Sequence, residues 1–164
     1  PLEETITRMY EEGTPPKIVV CDGIQDIRNI GAISRSCLAF GVDLMIVGVK
    51  ANAEIGEGAI KSSAGALLTL PVARVSSLSD TINYLKSWGL KQIATTEKAE
   101  KAISADTFSE LDAWVLWMGN EDKGISKERL ALMDETVRIN MPGKIDSLNV
   151  SVATGIVLHQ LTCK

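Results

Sequence analysis

The sequence predicts an α/β domain with a mostly parallel sheet and helices on both faces. Short apolar runs rich in Val, Ile and Leu have the unbroken hydrophobicity of strands that are buried on both sides. Between most of them lie segments with apolar residues at helical spacing, several of which end at a glycine. The alternation of strand and helix along the chain is typical of this fold class.

The elements follow one another in a regular order. Strands are predicted at residues 17–21, 44–47, 70–75, 92–95, 114–118 and 136–139. Helices are predicted at residues 31–40, 51–64, 79–88, 126–133 and 150–161. Ser126 and Ser147 are the expected caps of the last two, since serine is a favoured N-cap. The last helix is almost wholly apolar for two turns, which predicts burial on most sides.

Length and composition indicate one globular domain. The 164 residues suffice for a single core, and we expect it in residues 17–164, with residues 1–16 as a linker or N-terminal extension. No run approaches the ~20 apolar residues of a membrane span, so no membrane partner is expected. Three isolated cysteines form neither a disulfide framework nor a metal site, which indicates a reducing, cytoplasmic compartment. The net charge of −4 argues against a surface that binds nucleic acid everywhere, but allows a local basic patch.

Three polar, glycine-bearing loops follow predicted strands, where ligands bind in open α/β sheets. They are residues 22–35, 119–126 and 141–149. The chain has no G-x-G-x-x-G turn, no phosphate-binding G-K-[ST] loop and no G-x-S-x-G elbow. A single histidine makes His-based catalysis a poor choice, which leaves Arg, Asn, Glu and Ser to position and stabilise a reacting group.

Arg35 is the most informative of these polar residues. On the predicted helix it projects away from the face that carries Ile30, Ile33 and Cys37, and its neighbours are small. Two interpretations are open: an ordinary exposed helix arginine, or a clamp for phosphate or ribose, whose geometry a guanidinium fork matches. Trp114 and Trp117 belong to a predicted strand and are expected in the core rather than stacked on bases.

Three stretches together resemble the signature motifs of the SpoU/TrmH RNA ribose methyltransferases. They are N-I-G-A-I-S-R-S-C-L-A-F-G (29–41), M-G-N-E-D-K-G-I-S (118–126) and I-N-M-P-G-K-I-D-S-L-N-V-S-V-A-T-G-I (139–156). The resemblance extends from about residue 17 to the C-terminus and looks strongest to the bacterial 23S ribosomal RNA guanosine methyltransferases, with the tRNA branch as near rival. One departure is the proline of the third motif, which stands two places later than usual, at Pro142.

The resemblance implies a fold, a cofactor and an assembly. The fold would carry a deep C-terminal trefoil knot, which chains otherwise avoid. The cofactor would be S-adenosylmethionine, without a metal, and the chain would act as a homodimer on RNA, ribosomal RNA before tRNA. By motif position, the cofactor would contact Thr95 (or Thr96), Gly119, Ile139, Met141 and Leu148.

The resemblance also implies catalytic roles, residue by residue. Arg35 would contact the target ribose and its 3′ phosphate. Asn29 and Glu121 would hold Arg35 and the loop, and Ser147 and Asn149 match the polar pair of the third motif. Since arginine stays protonated in proteins, we expect Arg35 to orient the ribose and stabilise the developing alkoxide rather than act as base.

Three alternatives to a ribosomal RNA 2′-O-methyltransferase are open. The first is a tRNA rather than an rRNA enzyme. The second is a cofactor- or RNA-binding module without activity, against which the joint presence of Asn29, Arg35, Glu121 and Asn149 argues. The third is a knotted methyltransferase that acts on a base instead of a sugar.

Overall fold

The computed structural model describes residues 2–49, 63–120 and 122–163. Its elements in chain order are α1 (Leu2–Glu11), β1 (Lys17–Asp22), α2 (Ile27–Ala39), β2 (Leu44–Gly48), a short 3₁₀ helix (Ala66–Leu68), β3 (Val72–Val75), α3 (Leu78–Ser87), β4 (Gln92–Thr95), β5 (Trp114–Gly119), α4 (Lys127–Leu130), β6 (Glu135–Val137) and α5 (Val150–Thr162). Most of the helix predicted at residues 51–64 lies outside the described residues, as does Glu121.

The named strands form one six-stranded sheet in the order β3-β2-β1-β5-β4-β6, and every pairing between them is parallel. The two most central strands, β1 and β5, are almost entirely buried, as expected for strands that are covered on both faces. The predicted fold class, a mostly parallel α/β sheet, is therefore confirmed.

Helices cover both faces of the sheet. Ile30 and Ile33 of α2 and Leu158 of α5 pack against one face, where Val19 of β1 also points. The other face packs against α1 and α3, through the residues Ile6, Ile82 and Leu85. Both predicted core tryptophans are buried, and Trp117 donates its indole N–H to Gln92 Oε1 at 2.8 Å. No helix in the described residues is long and apolar enough to cross a membrane.

Helix α1 is part of this packing. Its Ile6 is fully buried and Met9 nearly so. Tyr10 stacks on Trp88 with ring centroids 4.6 Å apart and donates its hydroxyl to the Trp88 carbonyl at 2.9 Å. The segment before the first strand is therefore folded onto the domain.

Several element bounds differ from the predictions. Helix α2 begins at Ile27 rather than residue 31, because the Asp26 carboxylate caps it by accepting from the Arg28 amide at 2.8 Å. Strand β6 ends at Val137, because the Arg138 amide donates to the Lys101 carbonyl (2.9 Å) and the chain turns to pair with a different segment. Residues 96–112, for which no element is predicted, contain turns and a single bridge from Ala102 to Arg138.

Two helices also differ. Ser126 caps α4 as predicted, but the helix ends at Leu130 instead of residue 133, since Asp134 is hydrogen-bonded to the start of β4. The predicted cap of α5, Ser147, is wrong. Asn149 occupies that position, and its Oδ1 accepts from the amides of Ser151 and Val152 at 2.9 and 3.3 Å. Both residue types are good caps, so the local pattern could not separate them.

Candidate active site

A cavity opens at the carboxyl ends of β4 and β5, where the fold class places its ligands. The five residues that sequence analysis named for cofactor binding all line it: Thr95, Gly119, Ile139, Met141 and Leu148. Thr96, Glu97, Met118, Asn120, Gly124, Asp146, Ser147, Val150 and Ala153 complete the wall. Segments far apart in the chain therefore meet around one space because their strands end side by side.

Thr95 lines this cavity, and its side-chain hydroxyl is buried. Among the described residues, its Oγ1 is the buried side-chain polar atom without a hydrogen-bond partner. Leaving such a group unpaired costs about 1–3 kcal/mol, so native proteins usually pair it with protein, water or ligand. A ligand with a hydroxyl, amine or ring nitrogen fits this position.

Gly119 forms part of the wall because no other residue fits there. A Cβ at this position would lie 2.6 Å from the Gly124 carbonyl carbon and 2.7 Å from the Ile125 nitrogen. The backbone of β5 and the following loop are thus in direct contact. Gly124 itself has φ +65°, the left-handed region that glycine adopts at little cost.

Asn29 and Asn149 connect the first and third motifs. The Asn149 amide donates its Nδ2–H to Asn29 Oδ1 at 3.1 Å, and Asn29 is 9% exposed. Asn149 thus serves two purposes, because its oxygen caps α5 while its nitrogen binds α2. Behind this bridge, α5 crosses α2 closely at Gly155, where an added Cβ would lie 3.6 Å from Ser36 Oγ.

Arg35 lies apart from this group. It is exposed on α2, as predicted, and lines a separate open groove with Leu38, Ser63 and Thr69. Ser147 is exposed at the rim of the first cavity. Of the predicted catalytic residues, the structure brings Asn29 and Asn149 together, leaves Arg35 on the adjacent helix surface, and does not describe Glu121.

Three residues near the site were missed by sequence reasoning. Asn120 lines the cavity and donates its amide to the Gly23 carbonyl at 2.7 Å. Asp22 and Arg129 form an ion pair with two hydrogen bonds, here called the fork, at the neighbouring end of β1. Asp22 could have been found from its place directly after a buried apolar run, but nothing in the local pattern identifies Arg129.

Charged groups around the start of α2 are mutually paired. The Arg28 guanidinium donates to Asp26, and this hydrogen bond lowers the pKa of the Asp26 carboxyl and raises that of Arg28. Both are exposed, so solvent screens the interaction. Burial raises the pKa of the Cys37 thiol well above its ordinary value, which makes it an inert core residue. No group of three His, Cys, Asp or Glu within the described residues could hold a metal ion.

The fold and the cavity define a class: a parallel α/β domain with a ligand site at the carboxyl ends of its strands. Within that class the chain belongs to the SpoU rRNA Methylase family, whose model matches residues 16–159. An uncharacterized tRNA/rRNA methyltransferase of Mycobacterium avium is 36% identical over 151 residues, which are 92% of this chain and 48% of that protein. The chain therefore spans about half the length of such relatives.

Solved structures agree with this assignment. The SpoU methyltransferase AviRb from Streptomyces viridochromogenes, in complex with the cofactor AdoMet, superposes with a TM-score of 0.80 at 28% identity, covering 90% of this chain and 57% of that one. A structure described as an RNA 2′-O ribose methyltransferase gives a TM-score of 0.77 at 28% identity, covering 88% and 55%.

Proposed function

We propose that this domain transfers a methyl group from S-adenosylmethionine to a ribose 2′-hydroxyl of structured RNA, with ribosomal RNA as the first candidate substrate. The observation that carries the proposal is the cavity whose wall joins Thr95, Gly119, Ile139, Met141 and Leu148, beside the bridge from Asn149 to Asn29. Family membership and the cofactor-bound AviRb structure support the choice of cofactor.

The cavity residues fit this cofactor chemically. The unpaired Thr95 hydroxyl can bind a polar group of the ligand, while Met118, Ile139 and Leu148 supply an apolar surface for a flat ring. Gly119 lets the backbone of β5 pack directly against the loop that follows it, at the cavity wall. When bound, S-adenosylmethionine supplies an electrophilic methyl carbon on a positively charged sulfur.

In the proposed reaction the ribose 2′-oxygen bonds to the methyl carbon while the carbon–sulfur bond breaks. The proton of the hydroxyl passes to phosphate or water. Arg35, which stays protonated, orients the ribose through its phosphate and stabilises charge on the oxygen. Asn29, Asn149 and Ser147 position the loop and the helix that face the substrate, and Glu121 has the same role by its motif position.

The proposal includes a C-terminal trefoil knot in residues 17–164 and a homodimer, both implied by the family. An exposed apolar surface on α2 and α5 supports the dimer. Leu38 is 46% exposed and Val152 52%, and Ile156 beside them is 36% exposed. The prediction that α5 is buried on most sides is therefore wrong for the single chain, and a partner subunit on this face would cover it.

The place of this domain in a larger protein and in the cell is also proposed. We propose that residues 1–16, which include α1, are the extension that connects this domain to an RNA-binding half; the chain spans about half the length of its relatives. Reduced cysteines and an RNA substrate favour the cytoplasm.

Two measurements test the proposal. Calorimetric titration with S-adenosylmethionine is expected to show one saturable site per chain, with S-adenosylhomocysteine as comparison. Incubation with labelled cofactor and with ribosomal or transfer RNA, followed by nucleoside analysis, is expected to give a 2′-O-methylated ribose. Cofactor binding without transfer to either RNA would favour the non-catalytic module, and a methylated base would favour the third alternative.

Arg35→Ala separates chemistry from binding. Transfer should fall about 10²–10³-fold, the usual loss for one stabilising donor, while the cofactor Kd changes by less than about twofold. Arg74→Ala, which removes an exposed arginine of β3, is the matched control and should retain both. Equal loss of transfer and cofactor binding in the Arg35 variant would show that Arg35 is structural.

A further inference from the structure

A buried carboxylate stands at the carboxyl end of β1, one residue before the first loop of the site. Asp22 is 3% exposed. Both of its oxygens accept from Arg129 of α4: Nε to Oδ2 at 2.5 Å and Nη2 to Oδ1 at 3.0 Å. The two residues are 107 positions apart, and the Arg129 side chain is 27% exposed. This paired geometry fixes distance and angle together, which a single contact does not.

The pair lies next to the second-motif loop (residues 120–124), of which the structure describes Asn120 and residues 122–124. In the sheet register Asp22 is the partner of Gly119, the last residue of β5 and part of the cavity wall. Arg129 belongs to the helix that follows the loop. The fork therefore connects α4, the helix after the loop, to the end of β1, which pairs with β5 where the loop begins.

A second bridge connects the same loop to the residue after β1. Asn120 donates its amide to the Gly23 carbonyl at 2.7 Å. Its oxygen accepts from the amides of Asp122 and Lys123 at 2.8 and 3.0 Å. Asn120 is thus bonded both to the residue that follows Asp22 and to the described residues of its own loop.

We propose that Asp22 and Arg129 are positioning residues that hold the second-motif loop in the shape that binds the cofactor. This inference rests on the proposed function for the identity of the ligand. A guanidinium fork prevents the loop from sliding along the end of β5, whereas an apolar pair of similar volume would not fix its direction. The pair touches no ligand and acts through the backbone of Gly119 and Asn120.

The test compares matched carboxylates at the two ends of β1. Asp22→Asn and Arg129→Gln each remove one half of the fork, and Arg129→Lys keeps the charge without the planar fork. Asp43→Asn is the control, because Asp43 accepts from the Lys17 amide (3.0 Å) at the opposite end of the same strand. Each variant is measured by S-adenosylmethionine calorimetry, thermal unfolding and hydrogen exchange of peptides that span residues 119–125.

We expect Asp22→Asn and Arg129→Gln to raise the cofactor Kd at least tenfold and to speed exchange in residues 119–125, with Arg129→Lys restoring only part of the affinity. Asp43→Asn should leave both readouts unchanged. Because the two residues act as one unit, the double variant should bind no more weakly than the worse single variant.

The outcomes distinguish this inference from the proposed function. If the wild type binds no S-adenosylmethionine, the proposed cofactor is wrong, and the exchange of residues 119–125 still decides whether the fork holds the loop. Unchanged exchange in both fork variants overturns the inference. If the wild type binds S-adenosylmethionine and both fork variants bind it with the same Kd, the inference is also overturned, since the pair would then contribute only to stability.

Discussion

The two ends of the sheet are completed in different ways. At the amino end, side chains and neighbouring turns pair with the first backbone groups of the strands. The Lys17 amide donates to Asp43 Oδ2 at 3.0 Å, and the Asp43 amide donates back to the Lys17 carbonyl at 2.8 Å. Gln92 and Asp134 repeat this reciprocal pairing at the start of β4, with distances of 2.7 and 2.9 Å.

At the carboxyl end, side chains line a cavity. The buried Thr95 hydroxyl has no hydrogen-bond partner among the described residues, and Gly119 lines the cavity wall. The buried charge there, Asp22, pairs with an arginine that orients a loop. The comparison leads us to expect that polar groups at the amino end contribute mainly to folding and those at the carboxyl end mainly to binding of the proposed cofactor. Substitutions at the two ends should therefore separate the free energy of unfolding from the cofactor Kd.

Gly119→Ala should have the largest effect. The new Cβ would overlap backbone atoms of Gly124 and Ile125 at 2.6–2.7 Å, so the loop must move. Overpacking of this kind costs about 1–3 kcal/mol. We expect the cofactor Kd to rise at least tenfold, about 1.4 kcal/mol, by calorimetry.

Gly155→Ala in α5 is the control for this substitution. Its Cβ would meet Ser36 Oγ at an ordinary 3.6 Å, and alanine is favoured over glycine inside a helix by about 0.5–1 kcal/mol. The control should retain binding and keep or raise the Tm. If Gly119→Ala binds the cofactor like the wild type, the close contact at β5 has no part in the site.

Substitutions at Asn149 can separate the capping of α5 from the bridge to α2, because the side-chain oxygen and nitrogen have different partners. Asn149→Ala loses the cap of α5 and should lower stability by about 1 kcal/mol in thermal unfolding. Asn149→Asp keeps an accepting oxygen for the cap but has no Nδ2–H for Asn29. We expect the Asp variant to unfold near the wild-type Tm and yet to lose methyl transfer; full activity would show that the Asn29 bridge is dispensable.

Asp134→Ala tests the amino end. The Gln92 amide loses its side-chain acceptor, and a typical hydrogen bond contributes about 1 kcal/mol. Because Asp134 is remote from the cavity, the cofactor Kd should stay within about twofold of the wild type. A weakened Kd without a change in Tm would contradict the division between the two ends.

Much of this architecture is visible in the sequence, since unbroken apolar runs identify buried parallel strands and the fold class locates the ligand site at their carboxyl ends. Thr95, Gly119 and Leu148 could be named on motif position, and the cavity does bring them together. The homology of the motifs, however, says nothing about which side chains bond to each other.

The contacts that close the site join residues far apart in the chain. Asp22 and Arg129 are 107 positions apart, and Asn29 and Asn149 are 120 apart. The first pair depends on β5 lying next to β1 and the second on α5 packing against α2, neither of which local periodicity reveals. Strand β6 also ends early because of a contact that is not local: the Arg138 amide donates to the carbonyl of Lys101, which lies in an irregular segment.

The smallest expected effect is at Asp43, and it depends on pH. Burial raises the pKa of this carboxyl, an effect only partly offset by the hydrogen bond from the Lys17 amide. A raised folded pKa favours the native state below the ordinary value of 3.8, and this stabilisation is lost as pH rises through the folded pKa. At neutral pH the Asp43 charge therefore opposes folding.

Asp43→Asn keeps an oxygen for the Lys17 amide and removes that charge. We expect the Tm at pH 7 to rise by about 1–2 °C, a small surface-type change for a domain of this size. The gain should shrink as the pH is lowered and vanish where the wild-type carboxyl is protonated in both states. A gain in Tm that is equal at every pH would mean that charge is not its cause. A lower Tm would mean that the attraction between the ionised Asp43 carboxylate and Lys17 outweighs the cost of burying the charge.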